Sequence, residues 1–92
     1  MHAVVGQVEI TGQASEAQKV LDEFVVPNAK ALAGFRGGTW ARAVDAGTGH
    51  SLLLFDTEEA ARAAAARIAE GPPAGAPVRF VSTTVCEVVA QA

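Results

Sequence analysis

The hydrophobic pattern of this chain changes period in an order that few folds accept. Residues 3–10, AVVGQVEI, are rich in β-branched side chains and put Val4, Val8 and Ile10 on one side, as a strand does. Residues 15–26, SEAQKVLDEFVV, switch to helical spacing, with Ala17, Val20, Leu21, Phe24 and Val25 in one apolar stripe. Ser15 with Gln18 three residues on has the form of a capping box. Pro27 lacks an amide hydrogen and its ring clashes with the carbonyl of Glu23, so the helix is expected to kink or stop near Val25. Pro27 then opens a second short turn, PNAKALA, with Gly34 as a left-handed C-terminal cap.

The second half repeats the change of period. FRGGTWARAV and HSLLLFD flank DAGTG, a turn-rich stretch, which predicts a hairpin with a loop of five residues. Asp56, with Glu59 three residues on, starts a helix in TEEAARAAAARIAE, where Glu58 and Arg62 form an i,i+4 pair. GPPAGAP ends it as a stiff loop, and VRFVSTTVCEVVA, dense in valine and threonine, predicts a strand from Val78 to Ala90. The order βαββαβ is that of an α+β, ferredoxin-like fold: a four-stranded antiparallel sheet, strand order 4-1-3-2, with two helices on one face. Residues 1–92 form one domain on this reading.

Composition narrows the partners. Lys and Arg number 7 against 10 Asp and Glu, a net charge of −3 with no basic stripe, which speaks against nucleic acid. One cysteine, Cys86, gives no internal disulfide and fits a reducing cytosol. MHAVVGQVEI lacks a basic n-region, and no run approaches the ~20 apolar residues of a membrane span. The expectation is a soluble cytoplasmic protein with no nucleic-acid or membrane partner. Two histidines and one cysteine in no ligand spacing give no metal site, and no cofactor is expected.

The last strand raises the question of a second subunit. Read as regular, it puts Val78, Phe80, Cys86 and Val88 on one side and Val81, Val85 and Val89 on the other, so both faces look partly buried. Extended, it would span ~43 Å, against ~17–20 Å for a usual strand. A second copy stacking sheet on sheet resolves both points and predicts a twofold homodimer. A bulge or bend within the strand is the alternative explanation of its length.

The element order, the join VVPNAKALAGFRGGTW and the stretch HSLLLFDTEEAARAAA resemble the dimeric α/β-barrel superfamily, and within it small antibiotic-biosynthesis-monooxygenase-like proteins of actinobacteria. The resemblance covers nearly the whole chain and implies a dimeric α/β barrel, whose members include cofactor-free monooxygenases, haem-degrading enzymes and proteins without known activity. Haem-degrading relatives carry an asparagine on the first strand and a histidine on the helix after the third. Here those places hold Gln7 and a helix without histidine, so haem degradation is not expected.

GFRGG is not a phosphate loop, because its glycines follow a helix and enter a strand, the reverse of the order such loops need. Gly37 and Gly38 read as a bulge or a close approach. With the five-residue loop, Trp40 falls opposite Leu54, Arg42 opposite Leu52 and Val44 opposite His50. Arg36, Trp40, Arg42, His50, Leu52, Leu54 and Asp56 then share one face, apolar walls with a few polar groups, directed into the barrel. Trp40 either stacks on an aromatic ligand or fills the barrel or the dimer interface. Arg36 and Arg42 either hold an anionic oxygen or close rim salt bridges, Arg42 with Glu9 and Arg36 with Glu58. His50 is either a proton carrier or a solvated histidine beside a turn. Cys86, a strand away from His50, reads as a buried structural thiol, and His2 as having no role.

The functional expectation is a homodimeric barrel that binds a small apolar or aromatic molecule and oxidises it without a cofactor. Trp40 stacks the ring, Arg42 stabilises an anionic oxygen, His50 moves a proton, and Arg36, Leu52 and Leu54 line the pocket. The alternative is a non-catalytic dimeric module with a filled barrel.

Overall fold

The computed structural model describes residues 1–44 and 47–92. Strand β1 (His2–Ile10) leads into a helical segment made of α1 (Ala14–Val20), a π-helical turn (Leu21–Val25) and α2 (Val26–Lys30). Strands β2 (Phe35–Arg42) and β3 (Thr48–Phe55), helix α3 (Glu58–Ile68) and strand β4 (Val78–Glu87) follow. The strands form one antiparallel sheet in the order β2-β3-β1-β4. The fold is ferredoxin-like, with the strand order that the sequence predicts.

The core lies on the helix side of the sheet. Val4, Leu53 and Phe55 project from the central strands onto Ala29, Ala61 and Ala64, with Leu32, Phe35, Ile68 and Val85 packed around them. Phe55 and Val4 are the largest fully buried side chains. Phe35 meets Phe55 edge to face, centroids 6.0 Å apart at 74°. Alanines at 61 and 64 let the backbone of α3 approach these larger strand residues closely.

Pro27 acts as the sequence suggests, by a different device. The helix widens into a π turn before the proline and resumes as α2 with Pro27 in its first turn. Asn28 Nδ2 donates to the Phe24 carbonyl at 2.6 Å across this irregularity. The expected capping box is absent: α1 begins one residue before Ser15, its cap position is Gln13, and no side chain caps it. At α3 the cap is Thr57, one residue past Asp56, with its Oγ1 accepting from the Ala60 amide at 3.1 Å. Arg62 Nε donates to Glu58 Oε2 at 2.7 Å as expected. That bond and the Arg62 charge hold the Glu58 carboxyl below the usual glutamate range, against a smaller opposing desolvation and with a lesser pull from His2.

Two registers differ from the sequence reading. Trp40 lies opposite Ser51, Ala41 opposite His50 and Arg42 opposite Gly49, a slip of three residues from the expected pairs with Leu54 and Leu52. Strand β2 ends at Arg42 and β3 starts at Thr48 rather than His50, with the Ala43 amide donating to the Thr48 carbonyl at 3.0 Å, so the connection keeps five residues but is 43–47 instead of DAGTG. The Asp45 and Ala46 positions of that turn lie outside the described residues. An odd slip exchanges faces. Trp40 and Arg42 therefore stand on the helix side with Leu53, while His50, Leu52 and Leu54 stand on the helix-free side.

The second difference is in β4, which ends at Glu87 instead of Ala90 and carries a bulge opposite Gln7 and Val8. The bulge inserts Val81 and puts Val78 and Phe80 on the same face as Val85, leaving Cys86 on the opposite face beside Ala3. The expected grouping of Val78, Phe80 and Cys86 is corrected accordingly, and the bulge and the earlier end account for the strand's apparent excess length.

Gly34 joins the two halves of the core. Its φ is +76°, its carbonyl accepts from the Asp56 amide at 3.0 Å, and a Cβ there would lie 2.8 Å from the Ala60 Cβ. Gly34→Ala is expected to destabilise the fold by about 2–4 kcal/mol, combining left-handed strain with the clash. Adding Ala60→Gly should recover the clash part only, and denaturant titration of the single and double variants measures both.

Candidate functional site

The first helical segment does not lie flat on the sheet. No residue of α1 or of the π turn is buried, and only Ala29 of α2 reaches the core. Between this segment and the sheet lies a cleft of about 860 Å³. Its outer wall is the apolar stripe of the sequence, with Val20, Leu21 and Val25 facing it and Phe24 45% exposed at its edge. Val8, Trp40, Phe80 and Ile68 border it from the sheet and from α3.

The cleft exists because its floor is nearly free of side chains. Gly6 pairs with Ser51, and Gly49 pairs with Val8, on the helix-facing side of the two central strands. Ser51 Oγ lies 2.8 Å from where a Gly6 Cβ would stand, so the two positions together hold one small side chain. A sheet that offers glycine, serine and glycine to a helix bearing leucine, phenylalanine and valine leaves a void between them.

Trp40 forms one end of this floor. Its indole folds back along its own strand over Gly38, where a Cβ would lie 3.0 Å from Trp40 Cη2 and 2.7 Å from Leu53 Cδ2. The close approach read from FRGGTW is found at Gly38, and the bulge falls between Phe35 and Gly37. Arg42, two residues on and on the same face, borders the cleft and donates through Nη1 to the Ala14 carbonyl, the first of α1, at 3.5 Å.

The remaining predicted site residues are placed elsewhere. The His50 ring lies on the helix-free face, exposed, with Nε2 3.3 Å from Thr48 Oγ1. His50 also borders the cleft, and strand alternation sends its side chain to the face opposite Trp40. Leu52 and Leu54 share the helix-free face with His50, and Leu52 is 44% exposed. Arg36, exposed beside the bulge, pairs with Asp56 at 3.2 Å instead of Glu58. Glu9 pairs with Arg79 at 2.5 Å instead of Arg42, because β4 and not β2 is the neighbour of β1. Cys86 is half-buried, and Sγ approaches the Thr84 carbonyl at 3.9 Å. His2 Nε2 stands 3.6 Å from Glu58 Oε1. The face that holds Trp40 and Arg42 is thus not the face that holds His50, Leu52 and Leu54. The sequence carries a signal for the cleft: Gly6, Gly49 and Ser51 are small residues in strands otherwise rich in valine and leucine.

Among the described residues no group of three or more His, Cys, Asp or Glu comes together as metal ligands. Among them, too, no helix is long and apolar enough to cross a membrane. No known protein family matches the chain, and none of the curated proteins matches it.

The contact of Trp40 with Gly38 is testable alone, since Trp40 is the only tryptophan. Gly38→Val should lift the indole from its seat, shift its emission to longer wavelength and lower stability by about 1–3 kcal/mol. A variant with unchanged emission would refute the packing described.

Proposed function

We propose that the chain binds a small, mostly apolar molecule in the cleft between its first helical segment and its sheet, with any ring of that molecule lying against Trp40. The observation that carries this is the cleft itself. It falls in the ~300–1,000 Å³ range of small-molecule sites, with apolar walls and few polar groups. The proposal is one of binding, because His50, the side chain expected to move a proton, lies across the sheet from Trp40.

A fluorescent, neutral apolar probe, phenylnaphthylamine, tests it. Energy transfer from Trp40 should report micromolar binding, and Ser51→Leu, which fills the floor, should weaken binding at least about ten-fold while the melting temperature is kept. Equal affinity in both proteins would rule out the cleft.

A second reading concerns assembly. The helix-free face carries Val5, 39% exposed, and Leu52, 44% exposed, beside Leu54, Ala3 and Ala41. Gln7, Thr39, Thr84 and the Glu9–Arg79 pair surround this patch, so an apolar centre has a polar rim, the layout of a protein–protein interface. We propose that two copies pack through this face as a homodimer. Light scattering at micromolar concentration should give twice the chain mass, and Leu52→Lys should give the chain mass. A monomeric wild type would overturn the assembly reading and leave the cleft untouched.

A further inference from the structure

We infer that the molecule taken by the cleft is an apolar acid and that Arg42 binds its anionic group, an inference that rests on the cleft reading above. Four of the five arginines are already matched. Arg36 is held by Asp56, Arg62 by Glu58, Arg67 by Glu70 and Arg79 by Glu9. Among the described residues Arg42 has no carboxylate partner, and its one hydrogen bond is the long contact to the Ala14 carbonyl. A guanidinium carries five N–H donors, so most of its capacity is unused at the margin of an apolar cleft.

The surroundings favour an anion there over any other group. Arg42 lies opposite Gly49, which puts no side chain beside the guanidinium stem. Arg67 also borders the cleft, but Glu70 at 3.5 Å already answers its charge. Trp40 starts two residues away on the same face and its indole extends back over Gly38, so a ring against it lies roughly 7–13 Å along the strand from Arg42, a gap that the arginine stem and an acid on a short arm close together. Planar forked donors suit a carboxylate or sulfonate, which can accept two parallel bonds. Selection for the acid is local, because the chain as a whole carries a net charge of −3 and offers anions no general attraction.

The test compares two probes with the same ring systems, anilinonaphthalene sulfonate and neutral phenylnaphthylamine, each titrated against the full chain by energy transfer from Trp40. Arg42→Gln should weaken the sulfonate about ten-fold or more and the neutral probe less than about two-fold. Arg42→Lys keeps the positive charge and guards against loss of folding; it should fall between wild type and Arg42→Gln for the sulfonate alone. Equal effects on both probes, or none on either, would overturn the role of Arg42. Ser51→Leu separates this failure from that of the cleft: if it blocks both probes, the cleft reading stands whatever Arg42 does. If it blocks neither, both readings fall.

Discussion

The structure depends on how side-chain volume is divided between helix and sheet. Under α3 the helix supplies small residues, Ala61 and Ala64, and the strands supply large ones, Val4, Leu53 and Phe55. The two fit closely, and all five are buried. Under the first helical segment the shares are reversed: Leu21, Phe24 and Val25 face Gly6, Gly49 and Ser51. Reversal alone would also permit a fit, but the two ends of the segment are held differently. Ala29 sits in the core and Gly34 locks the exit against Ala60, whereas the entry is held by backbone bonds alone, the Thr11 and Gly12 amides donating to the Pro77 carbonyl at 2.8 and 3.3 Å, and α1 itself is uncapped with no buried residue. The cleft is the volume left over by a helical segment packed into the core at its C-terminal end alone.

Much of the fold was legible because it rests on periodicity and on local stereochemistry. The alternation of strand and helix periods gives the element order, and the order gives the sheet. Gly34 is read correctly from its position after a helix and before a strand, and its positive φ agrees. The Glu58–Arg62 pair follows from spacing alone. Hairpin register is a different kind of quantity, because it turns on which residue of DAGTGH ends the loop. Gly47 and Gly49 are both turn residues by type, yet Gly49 lies within β3, where its missing side chain makes room for Val8, 3.0 Å from a Cβ built there. An error in placing that boundary costs nothing in propensity and reverses every side chain.

The same reasoning explains why the site was only half legible. Trp40 and Arg42 are chemically distinct in their strand, and the structure keeps them together because residues two apart on a strand share a face. Their grouping with His50, Leu52 and Leu54 depended on the register and fell with it. The bulge in β4 was equally hidden, since the β-branched and hydroxyl side chains Ser82, Thr83 and Thr84 satisfy either face. Arginine pairing was nearer to reach. With strand order 4-1-3-2, β4 adjoins β1, so Glu9 belongs to Arg79, and among the described residues Arg42 has no carboxylate partner.

A sheet whose two faces are both incompletely covered gives the chain two separable surfaces. The cleft is built wholly from one chain: strand residues beneath, the first helical segment above, the end of α3 at its side. Its walls all belong to that chain, in contrast to a chamber formed between two stacked sheets. The helix-free face carries the exposed leucine and valine, and the bulge in β4 turns Phe80 away from that face toward the cleft. One local irregularity therefore takes apolar area from the helix-free face and gives it to the cleft. The two surfaces can be altered independently, because strand alternation sends neighbouring residues such as Ser51 and Leu52 to opposite faces of a sheet one layer thick.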